Sequence, residues 1–145
     1  MSAIEAINES WGWIGIEAEE IVGENDFGNL LIRDKNGKYW RLCPEDAYCE
    51  VVAQDRRELD AISANQEFLA DWYMSNLVSQ AKEKLGPLLP GRKYHLAIPS
   101  PLGGAYSAEN MRAVPQIEQI RFSGDIARQI STLPDGCQIE LKVLK

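Results

Sequence analysis

Histidine occurs once in the chain, at position 95, and that scarcity removes whole classes of chemistry. A lone imidazole excludes any two-histidine metal site and leaves one candidate for proton transfer near neutral pH. Cysteine is scarce too. Cys43, Cys49 and Cys137 are unevenly spaced and never form C-x-x-C, so neither a disulfide framework nor a zinc site is written here. Reduced thiols and a cytoplasmic location are the expectation. No apolar run approaches the ~18 residues a membrane span needs. "MSAIEAINES" lacks both the basic and the apolar region of a secretory signal. Phosphate-binding fingerprints are missing as well. Gly103-Gly104 is followed by Ala105-Tyr106-Ser107, where a P-loop needs lysine and Ser/Thr, and no G-x-G-x-x-G occurs.

The sharpest absence is local. Between Met1 and Asp26 there is no lysine or arginine, against seven acidic residues: Glu5, Glu9, Glu17, Glu19, Glu20, Glu24 and Asp26. From Tyr73 onward the balance reverses, with nine basic and six acidic side chains. A net charge of −7 repels phosphate, and no basic stripe with interleaved aromatics appears, so nucleic acid is not expected as a direct partner. An acidic segment can instead speed encounter with a basic protein. Its plainer use is solubility.

The 145 residues hold no repeat and no low-complexity linker, which predicts a single domain. Ile4–Asn8 suits a short helix. "GNLLIRDKNGKYWRLCPEDAYCEVVA" reads as three antiparallel strands, with Leu30/Ile32 alternating before Asn36-Gly37 and Trp40/Leu42 after it. Cys49 falls in phase with Val51 as a small core residue. Asp55 and Glu58 form a capping box for a helix whose inner face carries Leu59 and Ile62. From Gln66 to Leu85 the apolar spacing is helical, as one bent helix or as two with Ser75 capping the second. Gly86-Pro87 stops it. "YHLAI" is a strand with Tyr94, Leu96 and Ile98 on one face and His95 on the other. A short extended piece around Arg112–Val114 leads to Pro115 at a helix start, and Ser123-Gly124 bends or restarts that helix. Cys137–Val143 alternates as a final strand, in a C-terminal segment 137–145. Strands, then helices, then strands with one more helix make an α+β fold: an antiparallel meander with helices packed on it.

Apparent motifs dissolve on inspection. "DFG" (Asp26–Gly28) lacks every other kinase element and reads as a packed aromatic beside a turn. "DKNG" lacks the spaced carboxylates of a calcium loop and reads as a hairpin turn. The glycine pair in "IPSPLGGAYSAENM" reads as a shaped turn. His95 reads as a surface or satisfied strand residue. Trp11 and Trp13, alternating on an extended segment, either both face the core or leave one as an interface anchor.

The blocks "DFGNLLIRDKNGKYWRLCPED", "EFLADWYMSNLVSQA", "LGPLLPGRKYHLAIPSPLGGAYSAENM" and "FSGDIARQISTLPDG" together resemble the family named for the C-terminal domain of a type VI secretion DNase-immunity protein. The resemblance spans residues 27–136 and leaves the acidic segment 1–26 outside it. It implies an α+β domain that binds a protein partner, a toxin effector, and performs no chemistry. It carries over no binding residues. From the residues themselves, the partner face expected is Trp11, Trp13, Glu17, Glu19, Glu20, Glu24 and Asp26, meeting a basic effector. No catalytic, cofactor or metal-ligating residue is assigned. Two other readings stand beside it: a small enzyme or ligand-binding domain using the Pro101–Tyr106 loop with His95 or Tyr106 as its polar group, and a regulatory interaction domain with no toxin.

Overall fold

Ser2 accepts a hydrogen bond from the Glu5 N–H at 3.1 Å, satisfying a free donor at the start of α1 (Ala3–Trp11). The computed structural model describes residues 1–133. The strand expected at 137–143 lies outside them. Asn8, on α1, meets Ala18 in both directions: its Oδ1 accepts from the Ala18 N–H at 2.7 Å and its Nδ2 donates to the Ala18 carbonyl at 3.1 Å. That pair fixes where β1 (Ala18–Glu24) begins.

Among the described residues β1 is the edge of a four-stranded antiparallel sheet in the order β1-β2-β3-β4, with β2 at Leu30–Asp34, β3 at Tyr39–Cys43 and β4 at Tyr48–Ala53. The expected meander is there, extended by one strand that sequence reading left as an acidic segment. Its hairpin turns at Asp34–Gly37, where Gly37 takes φ 82° and donates to the Asp34 carbonyl at 3.1 Å. Burial opposes the Asp34 charge. The Trp40 indole N–H (2.8 Å) and the N–H groups of Asn36 and Lys38 outweigh that and hold its carboxyl below the usual range.

Both faces of this sheet are covered. Leu30, Ile32 and Leu42 pack under Ala6, Ile7 and Trp11 of α1 and under Ile120 and Ala127 of α5 (Gln116–Ser131). Each such fully buried aliphatic side chain contributes about 2 kcal/mol. On the opposite face Leu31, Tyr39 and Ala53 meet Leu59 of α2 (Arg56–Ser63) and Trp72 of α3 (Gln66–Tyr73). α2 starts as expected, with Asp55 Oδ1 accepting from the Glu58 N–H at 2.9 Å. The Gln66–Leu85 run is two helices. Met74 sits at φ 49° and breaks α3 from α4 (Ser75–Leu85), and it, not Ser75, occupies the cap position.

A second sheet pairs β5 (Arg92–Leu96) with β6 (Met111–Pro115). Tyr94, Leu96 and Met111 pack with Phe27 against Ala81 of α4. β5 stops at Leu96, so Ile98 is exposed and not on the strand's apolar face. Gln119 of α5 joins the sheets: its Nε2 donates to the carbonyls of Phe27 (3.1 Å) and Tyr94 (3.0 Å).

α5 runs unbroken through Ser123-Gly124, contrary to the expected bend. The glycine serves packing. A Cβ there would lie 2.5 Å from the Ser10 carbonyl oxygen, so its absence lets α1 and α5 touch.

Candidate functional site

The structure scatters the expected partner face over three environments. Trp11 and Trp13 do not alternate on an extended segment. Trp11 ends α1 and is buried, while Trp13 lies in the short 3₁₀ turn that follows and is 37% exposed. Their rings stack with centroids 6.2 Å apart, so the buried indole fixes the outer one. Glu17, Glu19 and Glu20 follow along the exposed side of the sheet edge, each facing a cation of this same chain. Glu17 meets Lys35 at 3.7 Å, and Glu19 and Glu20 meet Arg33 at 3.2 and 3.1 Å. All three pairs are solvated and contribute little to stability. Glu24 differs, bonding at 2.7 Å to the Nζ of Lys93, a side chain only 10% exposed that also donates to the Asn25 carbonyl at 2.9 Å. Glu24 therefore ties the end of β1 to β5. Asp26 turns the chain, its carbonyl accepting from the Tyr94 N–H at 2.9 Å.

His95 is buried, with 9% of its surface exposed. It shares strand parity with Lys93, and both are buried: α5 covers His95, while Glu24 and the Asn25 carbonyl hold Lys93. The ring meets the Phe122 edge at 5.5 Å and Gln119 Nε2 at 3.4 Å. Burial pushes its pKa down to about 4. An unfolded chain takes up this proton below about 6.5, whereas the folded one resists it until about 4. Stability is therefore full above pH 6.5 and falls as pH drops toward 4. Between pH 7.5 and 5 the wild type should lose about 2 kcal/mol more than His95→Gln, measured by urea unfolding at both pH values. Equal losses would mean the imidazole is not closed in.

Sequence reading passed over the polar centre of the molecule. Arg41 on β3 is buried, and its Nε and Nη2 donate to Asn29 Oδ1 at 3.1 and 3.0 Å. Its Nη1 donates to Asp71 at 2.6 Å, and its guanidinium lies 5.2 Å from the Trp72 ring centroid. Asn29 passes the link on, its Nδ2 donating to both oxygens of buried Glu45 at 2.8 and 2.9 Å. Burial raises the Glu45 pKa. Above these groups opens a cleft of about 610 Å³ between the Pro44–Asp46 turn and the α3–α4 junction, with Tyr106 at its rim. Asp46 Oδ1 accepts hydroxyl hydrogen bonds from Ser100 (2.6 Å) and from Tyr106.

Cys43, Glu45 and Asp46 bring ligand atoms within 4.8 Å of one another. Cys43 would join a metal as its thiolate, and burial beside two carboxyls pushes its pKa up, against forming one. The set reads as a hydrogen-bonded turn. The Pro101–Tyr106 loop is likewise shaped by its glycines. Gly103 takes φ 90°, and a Cβ on Gly104 would lie 1.7 Å from the Ile98 carbonyl oxygen. Tyr106 lines the cleft and His95 does not, so the loop and the imidazole do not share a site.

Among the described residues no helix is long and apolar enough to cross a membrane. Residues 53–127 match the family described as T6SS immunity protein Tdi1, C-terminal. The matched span runs from the end of β4 into α5, narrower than the 27–136 expected, and leaves most of the four-stranded sheet outside it. No curated protein matches the chain.

Proposed function

The chain belongs to the family of T6SS immunity protein Tdi1 C-terminal domains, and on that footing we infer that it is a cytoplasmic immunity protein that neutralises a basic toxin effector by covering it, without chemistry of its own. Family membership is the observation that carries this reading. Burial of the single imidazole, away from the cleft beside the Pro44–Asp46 turn, supports it.

The encounter face is the β1 edge. Trp13 stands exposed four residues before Glu17 in the chain, with Trp11 as its backing, and Glu24 and Asp26 anchor the strand end. The glutamates already hold solvated partners in Arg33 and Lys35, so they steer a basic partner more than they anchor it. The triple variant Glu17→Lys, Glu19→Lys, Glu20→Lys should slow association with the effector at least tenfold at low salt, flatten its salt dependence and leave dissociation nearly unchanged. Glu24 is kept, because a lysine there would face buried Lys93 and unfold the strand end. Stopped-flow association at several salt concentrations reads the outcome. An unchanged on-rate would move the encounter face elsewhere.

A further inference from the structure

We propose that the cleft between the Pro44–Asp46 turn and the α3–α4 junction is the anchoring site for a basic loop of the partner protein, entered by an arginine side chain. This rests on the immunity reading and adds where the tight contact is made. The cleft's charged lining consists of three carboxyls, Glu45, Asp46 and Asp71, against one guanidinium. Arg41 is already held by Asn29 and Asp71 and so cannot compensate a second acid. Asp71 keeps 69% of its side chain exposed even while paired, leaving acceptor positions open to an incoming donor.

Polarity of the opposite sense lies beside these acids. α4 begins with no side-chain cap, and Ser75, Asn76 and Leu77, whose N–H groups have no intrahelical acceptor, line the same cleft. A metal ion or a small anion meets only one of these two sets. A protein loop meets both, with a guanidinium for the carboxylates and a main-chain carbonyl for the amides. Tyr48 and Tyr106 add flat aromatic surface that suits a guanidinium better than an ammonium. The volume of about 610 Å³ lies within the ~300–1,000 Å³ usual for ligand sites. Two parts of the chain build it: Asp71, Asn76 and Tyr106 from the family-matched region, and Arg41, Glu45 and Asp46 from before it.

Ala70 gives a clean plug. It is an exposed helical residue lining the cleft, so Ala70→Arg fills the space with a cation and removes no packed atom. The full chain is first titrated, by amide chemical-shift mapping, with a short peptide carrying one arginine and with its citrulline counterpart. Shifts at Asp46, Asp71 and Asn76 with the arginine peptide alone, lost in Ala70→Arg, are expected. Shifts confined to Glu17–Glu20, or none, would overturn the proposal. In the second arm, Ala70→Arg should weaken effector binding at least 100-fold with its unfolding midpoint unchanged; wild-type affinity in that variant would overturn it too. A wild-type chain that takes the peptide in the cleft but ignores the effector would defeat the immunity reading and leave the site standing.

Discussion

Gly28→Ala should destabilise the protein by about 4 kcal/mol, through backbone strain and a clash with a buried amide. Gly28 sits at φ 76°, a conformation that costs a side-chain-bearing residue about 1–2 kcal/mol. The new Cβ would also lie 1.8 Å from the Gln119 side-chain oxygen. A flexible surface amide would swing away. Gln119 cannot do so freely, because it is buried and its Nε2 holds the carbonyls of Phe27 and Tyr94. Moving it strands those carbonyls, at about 1–3 kcal/mol each. Urea unfolding checks the size, and Gln119→Ala checks the cause. With the amide gone the methyl has room, so the double variant should lose clearly less than the two single losses added together. Additive losses would mean that the clash is relieved elsewhere.

Arg41→Met should cost about 3 kcal/mol, through loss of the bonds to Asn29 and Asp71 and of the contact with Trp72. Two features set the size. Asp71 is mostly in water and recovers its hydration, which holds the loss below that of a pair buried at both ends. Glu45 is buried and relies on Asn29, whose amide Arg41 orients, so the damage spreads to a second carboxyl. Asp71→Asn, by contrast, should cost under about 1 kcal/mol, as expected of a solvated partner. Similar losses from the two variants, measured by thermal and urea unfolding, would contradict this division.

The legible parts of the fold were those where one physical signal acts alone. The Asn36-Gly37 hairpin, the Asp55/Glu58 cap and the Phe27-Gly28 turn follow from local backbone chemistry, and the structure has each in place. Alternation misled where an element is covered twice. His95 sits out of phase with its apolar neighbours and reads as a surface or satisfied strand residue, and Arg41, out of phase likewise, is passed over; yet α3 lies beside Arg41 and α5 over His95. The unbroken run Leu30-Leu31-Ile32 was the available clue that β2 and β3 are buried on both faces. Gly124 read as a bend because a helical glycine weakens a helix, while its use, letting α1 approach, depends on a contact more than a hundred residues away in sequence. The acidic face was visible as composition alone. Which glutamate stays solvated and which ties the strands together depends on where Arg33, Lys35 and Lys93 arrive, and that is tertiary.

Neutralisation by contact, as proposed, predicts a fixed stoichiometry. Purified effector, assayed for its toxic activity, is titrated with this protein, and the mass of the effector is then measured. Inhibition should rise linearly, complete at one equivalent, and leave the effector's mass unaltered with activity restored on dissociation. Inhibition by a small fraction of an equivalent, or an effector altered in mass, would show that the protein acts by turnover.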